Sequence, residues 1–340
     1  AFVVAAVWYG MARVDWPALW DAIASANAMW IFAAVVATLA SHLIRAHRWR
    51  LLIADGMRIP LRAAFSATII GYMFNNIIPR SGELARPWVL ARRESRPLSA
   101  MIASIVVERI IDGVTLAVIV VVLAVTGREI VERLLPEYTA VGLIAAITIP
   151  VVALVVAIVL AVRTTLGESF LNLIGRWIPA KVIARLRIVL ADFKAGAHVG
   201  NARSGSMVAV YAVLIWLGYA LGVYFGFLAF GFDMTYGLGA QAALMVLGIT
   251  SIGITIAPTP GAFLVYHSFC IAVLTVVFGV PDEPATAFAL VSHGAPYIAV
   301  TTLGAVYALL ENVGFGTMMR AGRPPGMAPK DQRTEGPKDL

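Results

Sequence analysis

The sequence predicts an all-α, polytopic helical membrane protein with two re-entrant or broken hairpins. Three observations carry that prediction: scarce charge, long apolar runs, and two similar interruptions of those runs. Of the 340 residues, 60% are hydrophobic and only 13% are charged. An ordinary soluble domain is about 45–50% apolar and about 25% charged, so this chain cannot clothe a soluble globule of its size. Apolar runs of about 20 residues recur, as membrane-spanning helices require. They are continuous, which excludes outer-membrane barrels, whose strands alternate polar and apolar residues over roughly 10 positions. The single cysteine, Cys270, excludes an intramolecular disulfide and a cysteine-built metal site. It reads as a buried thiol inside a span.

In chain order the runs cover 1–12, 28–44, 63–79, 98–126, 139–162, 207–230, 238–257, 260–279 and 286–315. The first begins inside an apolar stretch and is expected to be a clipped helix rather than a signal peptide. Residues 1–320 are expected to form one transmembrane domain. Within it, 164–205 reads as interfacial helices broken at Pro179. Val182, Leu186, Val189, Leu190 and Phe193 make an apolar stripe there, with Lys181, Arg185 and Lys194 off it. That pattern suits anionic headgroups and equally suits packing against the bundle. Residues 321–340, rich in Pro, Gly and charge, read as a disordered tail.

The connecting segments set the orientation. Segment 45–62 holds Arg45, Arg48, Arg50, Arg58 and Arg62, and segment 80–96 holds Arg80, Arg86, Arg92, Arg93 and Arg96. Segment 163–205 and the tail 320–340 are also basic. If every run crosses once, the first two segments fall on opposite sides. If 63–79 enters and leaves on one face, and 238–257 with 260–279 forms a hairpin based on the other, all four basic segments share a side. Only Arg13, Arg128 and Arg133 then remain opposite. Cytoplasmic loops are enriched in Lys and Arg, so 45–62, 80–96, 163–205 and 320–340 are expected in the cytoplasm, and the protein in a bacterial-type inner membrane.

The two interruptions echo each other. Ile77-Ile78-Pro79-Arg80-Ser81-Gly82 and Ile256-Ala257-Pro258-Thr259-Pro260-Gly261 both end an apolar run with Pro-x-x-Gly. Proline removes a backbone donor and glycine permits the turn. Broken backbone at membrane depth must be buried or line a wet cavity, and paired breaks in two halves point to a transporter's binding site. Opposite sides of approach make an inverted repeat an expectation, against chance likeness of a short motif.

Three ionisable residues interrupt run 98–126: Glu108, Arg109 and Asp112. Intramembrane charge is costly and faces partners or water. Glu108 and Asp112, at i,i+4, share a face, and Arg109 can pair with Asp112 at i,i+3. The trio reads either as an internal salt bridge or as a substrate contact. If 63–79 is re-entrant, Glu83 and Arg86 lie on its return arm and can face that trio, where a guanidinium could hold a phosphate by paired hydrogen bonds. Arg92 and Arg93 read as plain positive-inside anchors. Asn75 and Asn76 are expected to satisfy exposed backbone around Pro79 and Gly82. Ser251, Thr255 and Thr259 form one polar stripe at i, i+4, i+8, for back-bonding or for lining a cavity with Pro258, Pro260 and Gly261. His267 and His293 read as packing histidines or as a proton relay, and Glu311 as a snorkelling end-of-span residue. No metal site, cofactor site, nucleotide loop or catalytic triad is legible, and the basic loops follow membrane orientation rather than nucleic-acid binding.

Taken together, Arg48-Trp49-Arg50-Leu51-Leu52, Asn76-Ile77-Ile78-Pro79, Gly82-Glu83-Leu84-Ala85-Arg86, Val107-Glu108-Arg109-Ile110-Ile111-Asp112 and Pro258-Thr259-Pro260-Gly261 resemble the lysylphosphatidylglycerol synthase transmembrane region family, also called flippase-like domain proteins. The resemblance covers nearly the whole chain. It implies an inner-membrane bundle with two re-entrant elements that moves a lipid between leaflets, with Glu83, Arg86, Glu108, Arg109 and Asp112 as the central polar cluster. The sequence departs from the family's pattern at Ala262 and His267, where a second Gly and then an acidic residue are common, and at His293, where an Arg is frequent. The synthase's aminoacyl-transfer domain has no counterpart in these residues, so lipid aminoacylation is not expected.

The function expected is a lipid flippase or transporter acting on membrane phospholipids, without a cofactor. A membrane enzyme on a lipid-linked substrate, a scaffold for a separate lipid-modifying enzyme, and a small-solute transporter are the rivals. A homo-oligomer is left open. The topology has a direct test: single cysteines placed at Asp55 and Ser95 should label from the same side of the membrane, and opposite-side labelling would sink it.

Overall fold

The computed structural model describes residues 16–53, 56–127, 165–180 and 202–313, with isolated positions between 142 and 191. Every regular element among them is helical: α1 (Trp16–Ala24), α2 (Ala28–Leu51), α3 (Leu61–Ile77), α4 (Gly82–Arg93), α5 (Leu98–Thr126), α6 (Leu166–Ile174), α7 (Ala202–Phe230), α8 (Phe232–Thr235), α9 (Ala240–Ile256), α10 (Phe263–Ala272) and α11 (Asp282–Leu310). Among the described residues, four helices are long and apolar enough to cross a membrane: Ala28–Leu51, Gly205–Phe230, Pro260–Val277 and Asp282–Leu310. The expected runs 1–12 and 139–162 and the tail 321–340 lie outside the described residues, apart from isolated positions. In the expected interfacial segment, α6 is followed by a turn up to Pro179. A second turn then starts, with the Val182 N–H donating to the Pro179 carbonyl at 2.8 Å.

Small residues join α2 to α7. Asn27 caps α2, its side-chain oxygen accepting from the Met29 N–H at 3.0 Å, and its own N–H donates to the Ala229 carbonyl at 2.8 Å. Further along, Trp30 stacks on Phe225, and His47 meets Tyr211 edge-on. The contacts descend on one helix as they ascend on the other, so the pair is antiparallel. A Cβ on Gly218 would lie 2.1 Å from Ser41 Oγ. Such small-residue contacts let two backbones approach where no hydrophobic force separates helix from lipid.

Helices α3 and α4 form a tight antiparallel hairpin. Ser81 Oγ donates to the Phe74 carbonyl at 2.8 Å, and Arg93 Nη1 donates to Ser66 Oγ at 3.4 Å. Between them Gly82 presses on Gly71, where an added Cβ would lie 1.9 Å from the Gly71 oxygen. The α4 segment has 12 residues, or roughly 18 Å of rise, well short of the ~30 Å hydrocarbon core. The hairpin's two open ends therefore lie at the same end of the bundle.

The second hairpin is α9 with α10, joined through residues 257–262. Gly261 and Ala262 take left-handed φ of 56° and 57°, which reverses the chain after the two prolines. Gly253 of α9 sits against the Phe269 ring, a Cβ there falling 2.7 Å away. A π-helical turn, Val273–Val277, continues α10.

Helix α11 shows how the hairpins relate. Its 29 residues rise about 43 Å. Near its C-terminal end Glu311 pairs with Arg93, Tyr307 meets Phe65, and Gly304 packs on Met73. In its middle Thr301 bonds Asn76, and Tyr297 abuts Gly261. Nearer its N-terminus His293 meets Tyr266, and Phe288 and Ala285 share a buried cluster with Val273 and Leu274. The first hairpin therefore lies along the C-terminal half of α11 and the second along its N-terminal half. They approach from opposite ends and meet tip to tip. The buried apolar residues divide accordingly into one cluster around each hairpin.

One expectation is corrected. The run 28–44 was expected to end before Arg45, leaving 45–62 as a loop. The helix instead continues to Leu51, because Ala46, Trp49 and the buried faces of Arg45 and Arg48 pack inward.

The glycine contact sets the hairpin's geometry. Gly82→Ala should lower stability by about 1–3 kcal/mol through overpacking, measured as a fall in thermal unfolding temperature in detergent, whereas Gly113→Ala, which faces open space, should not.

Candidate functional site

The site is built from three helices. Packing that buries Trp49 of α2 against α5, with its indole N–H donating to Ser104 Oγ at 2.8 Å, fixes the register of those two helices. Arg45, one turn before Trp49, and Arg48, beside it, then face Glu108 and Asp112, one and two turns beyond Ser104. From the first hairpin, Arg86 projects into the same space about five residues, or roughly 7 Å, from the tip.

Glu108 is fully buried, and Arg45, Arg48, Arg86 and Asp112 are nearly so. Glu108 Oε1 accepts from Arg45 Nη1 at 2.8 Å, Arg86 Nη1 at 2.8 Å and Arg109 Nη2 at 2.9 Å. Asp112 accepts from Arg45 Nη1 at 2.6 Å through Oδ2 and from Arg48 Nη2 at 2.7 Å through Oδ1. The Arg86 guanidinium lies 3.9 Å from the Trp49 ring centre, a cation–π contact that supports its plane. Arg109 differs from the rest: its side chain is 44% exposed, so it stands at the open edge of the cluster.

Four guanidinium groups meet two carboxylates, so the cluster carries an excess of positive charge. Its donors also outnumber its acceptors. Arg45 Nε, Arg48 Nε and Nη1, and Arg86 Nε and Nη2 are buried without an acceptor, while Glu108 Oε2 is buried without a donor. Buried polar groups are normally paired, and a guanidinium fork matches carboxylate or phosphate oxygens two at a time. The arrangement fits an oxygen-rich anion.

The tips form a second polar region. Asn75 Oδ1 accepts the Gly82 N–H at 2.7 Å, so it caps α4 as expected. Asn76 instead ties the first tip to α11, donating from Nδ2 to Thr301 Oγ1 at 2.7 Å and accepting at its carbonyl from Tyr297 OH at 3.3 Å. Arg80, at a left-handed φ of 59°, donates from Nη2 to the Thr255 carbonyl at 3.0 Å. The Pro79 and Pro258–Gly261 breaks thus meet across the middle of the bundle. His267 and His293 are neighbours, with ring centroids 5.2 Å apart. His267 Nδ1 contacts the Phe263 carbonyl, and His267 Nε2, His293 Nδ1 and Thr259 Oγ1 are buried without partners. No cluster of three metal-ligating side chains occurs among the described residues.

Of the expected central residues, the structure unites Arg86, Glu108, Arg109 and Asp112. It does not bring in Glu83, which sits on the first turn of α4, about one helical turn nearer the tip than Arg86, and makes no ion pair among the described residues. The stripe of Ser251, Thr255 and Thr259 is interrupted, and of its two readings back-bonding holds at Thr255. The helix ends at Ile256, so Thr259 lies beyond the break, and Thr255 Oγ1 bonds back to the Ser251 carbonyl at 2.7 Å. Glu311 does not snorkel freely but pairs with Arg93 at 2.6 Å. Cys270 is buried, as expected.

Arg45 and Arg48 were missed, being read as loop anchors. A signal was present: Ser41, Arg45, Arg48 and Trp49 stand at i, i+4, i+7 and i+8, one face of a helix, which plain flanking basics need not share.

A sequence profile of the lysylphosphatidylglycerol synthase TM region matches residues 1–304. No curated protein and no solved structure matches the chain. The profile and the apolar helices identify a multi-pass membrane protein.

Glu108 holds the cluster's cations together. Glu108→Gln should cost about 3–5 kcal/mol, the usual penalty for removing one partner of a buried ion pair, read as a lowered unfolding temperature. Arg109→Ala, at the exposed edge, should shift it far less.

Proposed function

Because the chain belongs to the lysylphosphatidylglycerol synthase TM region family, we propose that it is a lipid flippase or transporter, moving a phospholipid or lipid-linked headgroup between leaflets through a central polar cavity. The observation that carries this reading is the excess of buried guanidinium donors over acceptors at Arg45, Arg48 and Arg86. A structural salt bridge needs matched charges, and a surplus of unpaired donors is costly unless an anion arrives to use them. The headgroup's phosphate binds there while its acyl chains stay in lipid. Arg109, at the accessible edge, receives it, and Glu108 and Asp112 hold the guanidinium planes in place.

Two hairpins that approach from opposite ends and meet at their tips supply the gates. Withdrawal of one tip opens the cluster toward one leaflet, and withdrawal of the other toward the opposite leaflet. The short α4 supports a first hairpin that re-enters on its own side. The basic residues near that hairpin's open end support a cytoplasmic side for it and an inner-membrane location for the protein. The lipid leaves chemically unchanged, and phospholipid is the protein's partner.

Reconstituted vesicles carrying a fluorescent phospholipid test the reading. Arg109→Ala should slow translocation roughly ten-fold or more, the worth of one charge-assisted hydrogen bond, while the variant stays folded. Translocation at the unaltered rate would refute the cluster's direct role, and a covalently changed lipid in the mass spectrum would replace transport with enzymology.

A further inference from the structure

One cavity among the described residues lies away from the buried cluster. It lies at the open end of the first hairpin, with a volume of about 620 Å³, within the range of small-molecule sites. Arg62 from the first turn of α3 and Arg92 and Arg93 from the last turn of α4 line it, and Tyr307 and Glu311 close it from the α11 side. None of these residues belongs to the central cluster, and Arg92 stands six residues, or roughly 9 Å along the helix, from Arg86.

Charge in this cavity is unevenly matched. Glu311 is the carboxylate in its lining, and Arg93 already engages it at 2.6 Å, with Glu94 a further 3.8 Å from Arg93 Nε. Ser66 also receives a bond from Arg93 at 3.4 Å. Arg93 is thereby held still and neutralised. Arg62 and Arg92 have no ion pair among the described residues. Arg92 is nonetheless positioned, its guanidinium lying 5.6 Å from the Trp88 ring centre. Ordinary anchoring arginines splay outward to separate headgroups. Here cations from two helices converge on one concavity, whose remaining wall is apolar: Val89, Leu310 and Val313.

We propose that this cavity binds a phosphate group at the membrane surface, with Arg62 and Arg92 as its unpaired donors and the apolar wall against the carbon skeleton attached to it. Two free guanidinium forks match a phosphate's oxygens and charge, and basic pockets between helices take anionic headgroups in this way. The phosphate comes from an anionic phospholipid or from a water-soluble phosphate ester. The site stands apart from the transport reading, since it shares no residue with the central cluster.

Native mass spectrometry of the full chain distinguishes the sources. One sample is taken from phosphatidylcholine nanodiscs doped with phosphatidylglycerol, the other from detergent with glycerol 3-phosphate. The wild-type protein should hold one saturable ligand whose binding depends on Arg62 and Arg92, phosphatidylglycerol if the source is lipid and glycerol 3-phosphate if it is soluble. R62Q/R92Q should weaken that binding on the order of ten-fold per guanidinium. Should the double variant fold poorly, R62Q and R92Q singly, at exposed side chains, give the same reading. Equal binding of both probes by wild type and variants, or binding that rises without saturation, overturns the proposal.

Discussion

The buried carboxylate of Glu108 is the constraint on which the rest of the bundle depends. One oxygen of this side chain gathers Arg45 from α2, Arg86 from the first hairpin and Arg109 from its own helix. Without it, like charges from three elements would face one another in a medium that screens them poorly. With it, α2, α4 and α5 have one mutual register. The Trp49–Ser104 hydrogen bond and the Arg86–Trp49 stack reinforce the same register by non-ionic means. The attraction is incomplete, however, since the cations outnumber the anions. The arrangement holds three helices together and still leaves buried guanidinium donors without acceptors.

Architecture around this point is simple in outline. One long helix, α11, carries both hairpins along its length, each with its own apolar cluster. Glycines do the close work: Gly82 on Gly71, Gly253 on Phe269, and Gly218 on Ser41. Each hairpin is thereby a stiff pair of rods, and its connections to the rest are concentrated at the tip and along α11.

Much of this was legible in the sequence because charge inside an apolar run has few explanations. Glu108, Arg109 and Asp112 stood out for that reason, and the Pro-x-x-Gly echoes marked both tips. Arg45 and Arg48 were not recognised because hydropathy locates where a run loses its apolar character, not where the helix ends. A helix whose last two turns face a buried charge cluster looks, by composition, like a loop. Glu83 was placed in the cluster because it shares the return arm with Arg86 and by the family resemblance, but it stands about one turn nearer the tip, and sharing an arm does not settle which of its residues reach the cluster. The contact between the tips was illegible for a different reason: it joins residues far apart in the chain, such as Asn76 and Thr301 through their side chains and Arg80 to the Thr255 carbonyl, and no local pattern announces such pairs.

That contact has a mechanical consequence. Asn76 gives its side chain to Thr301 and its carbonyl to Tyr297, the ring of Tyr297 leans on Gly261, and Arg80 reaches the Thr255 carbonyl. Both tips therefore bear on the same two turns of one continuous rod. Neither can be displaced along α11 without breaking bonds that also seat the other. The middle of the bundle works as a shared latch rather than as two independent bolts, and its strength sets a single energetic threshold for movement at either end.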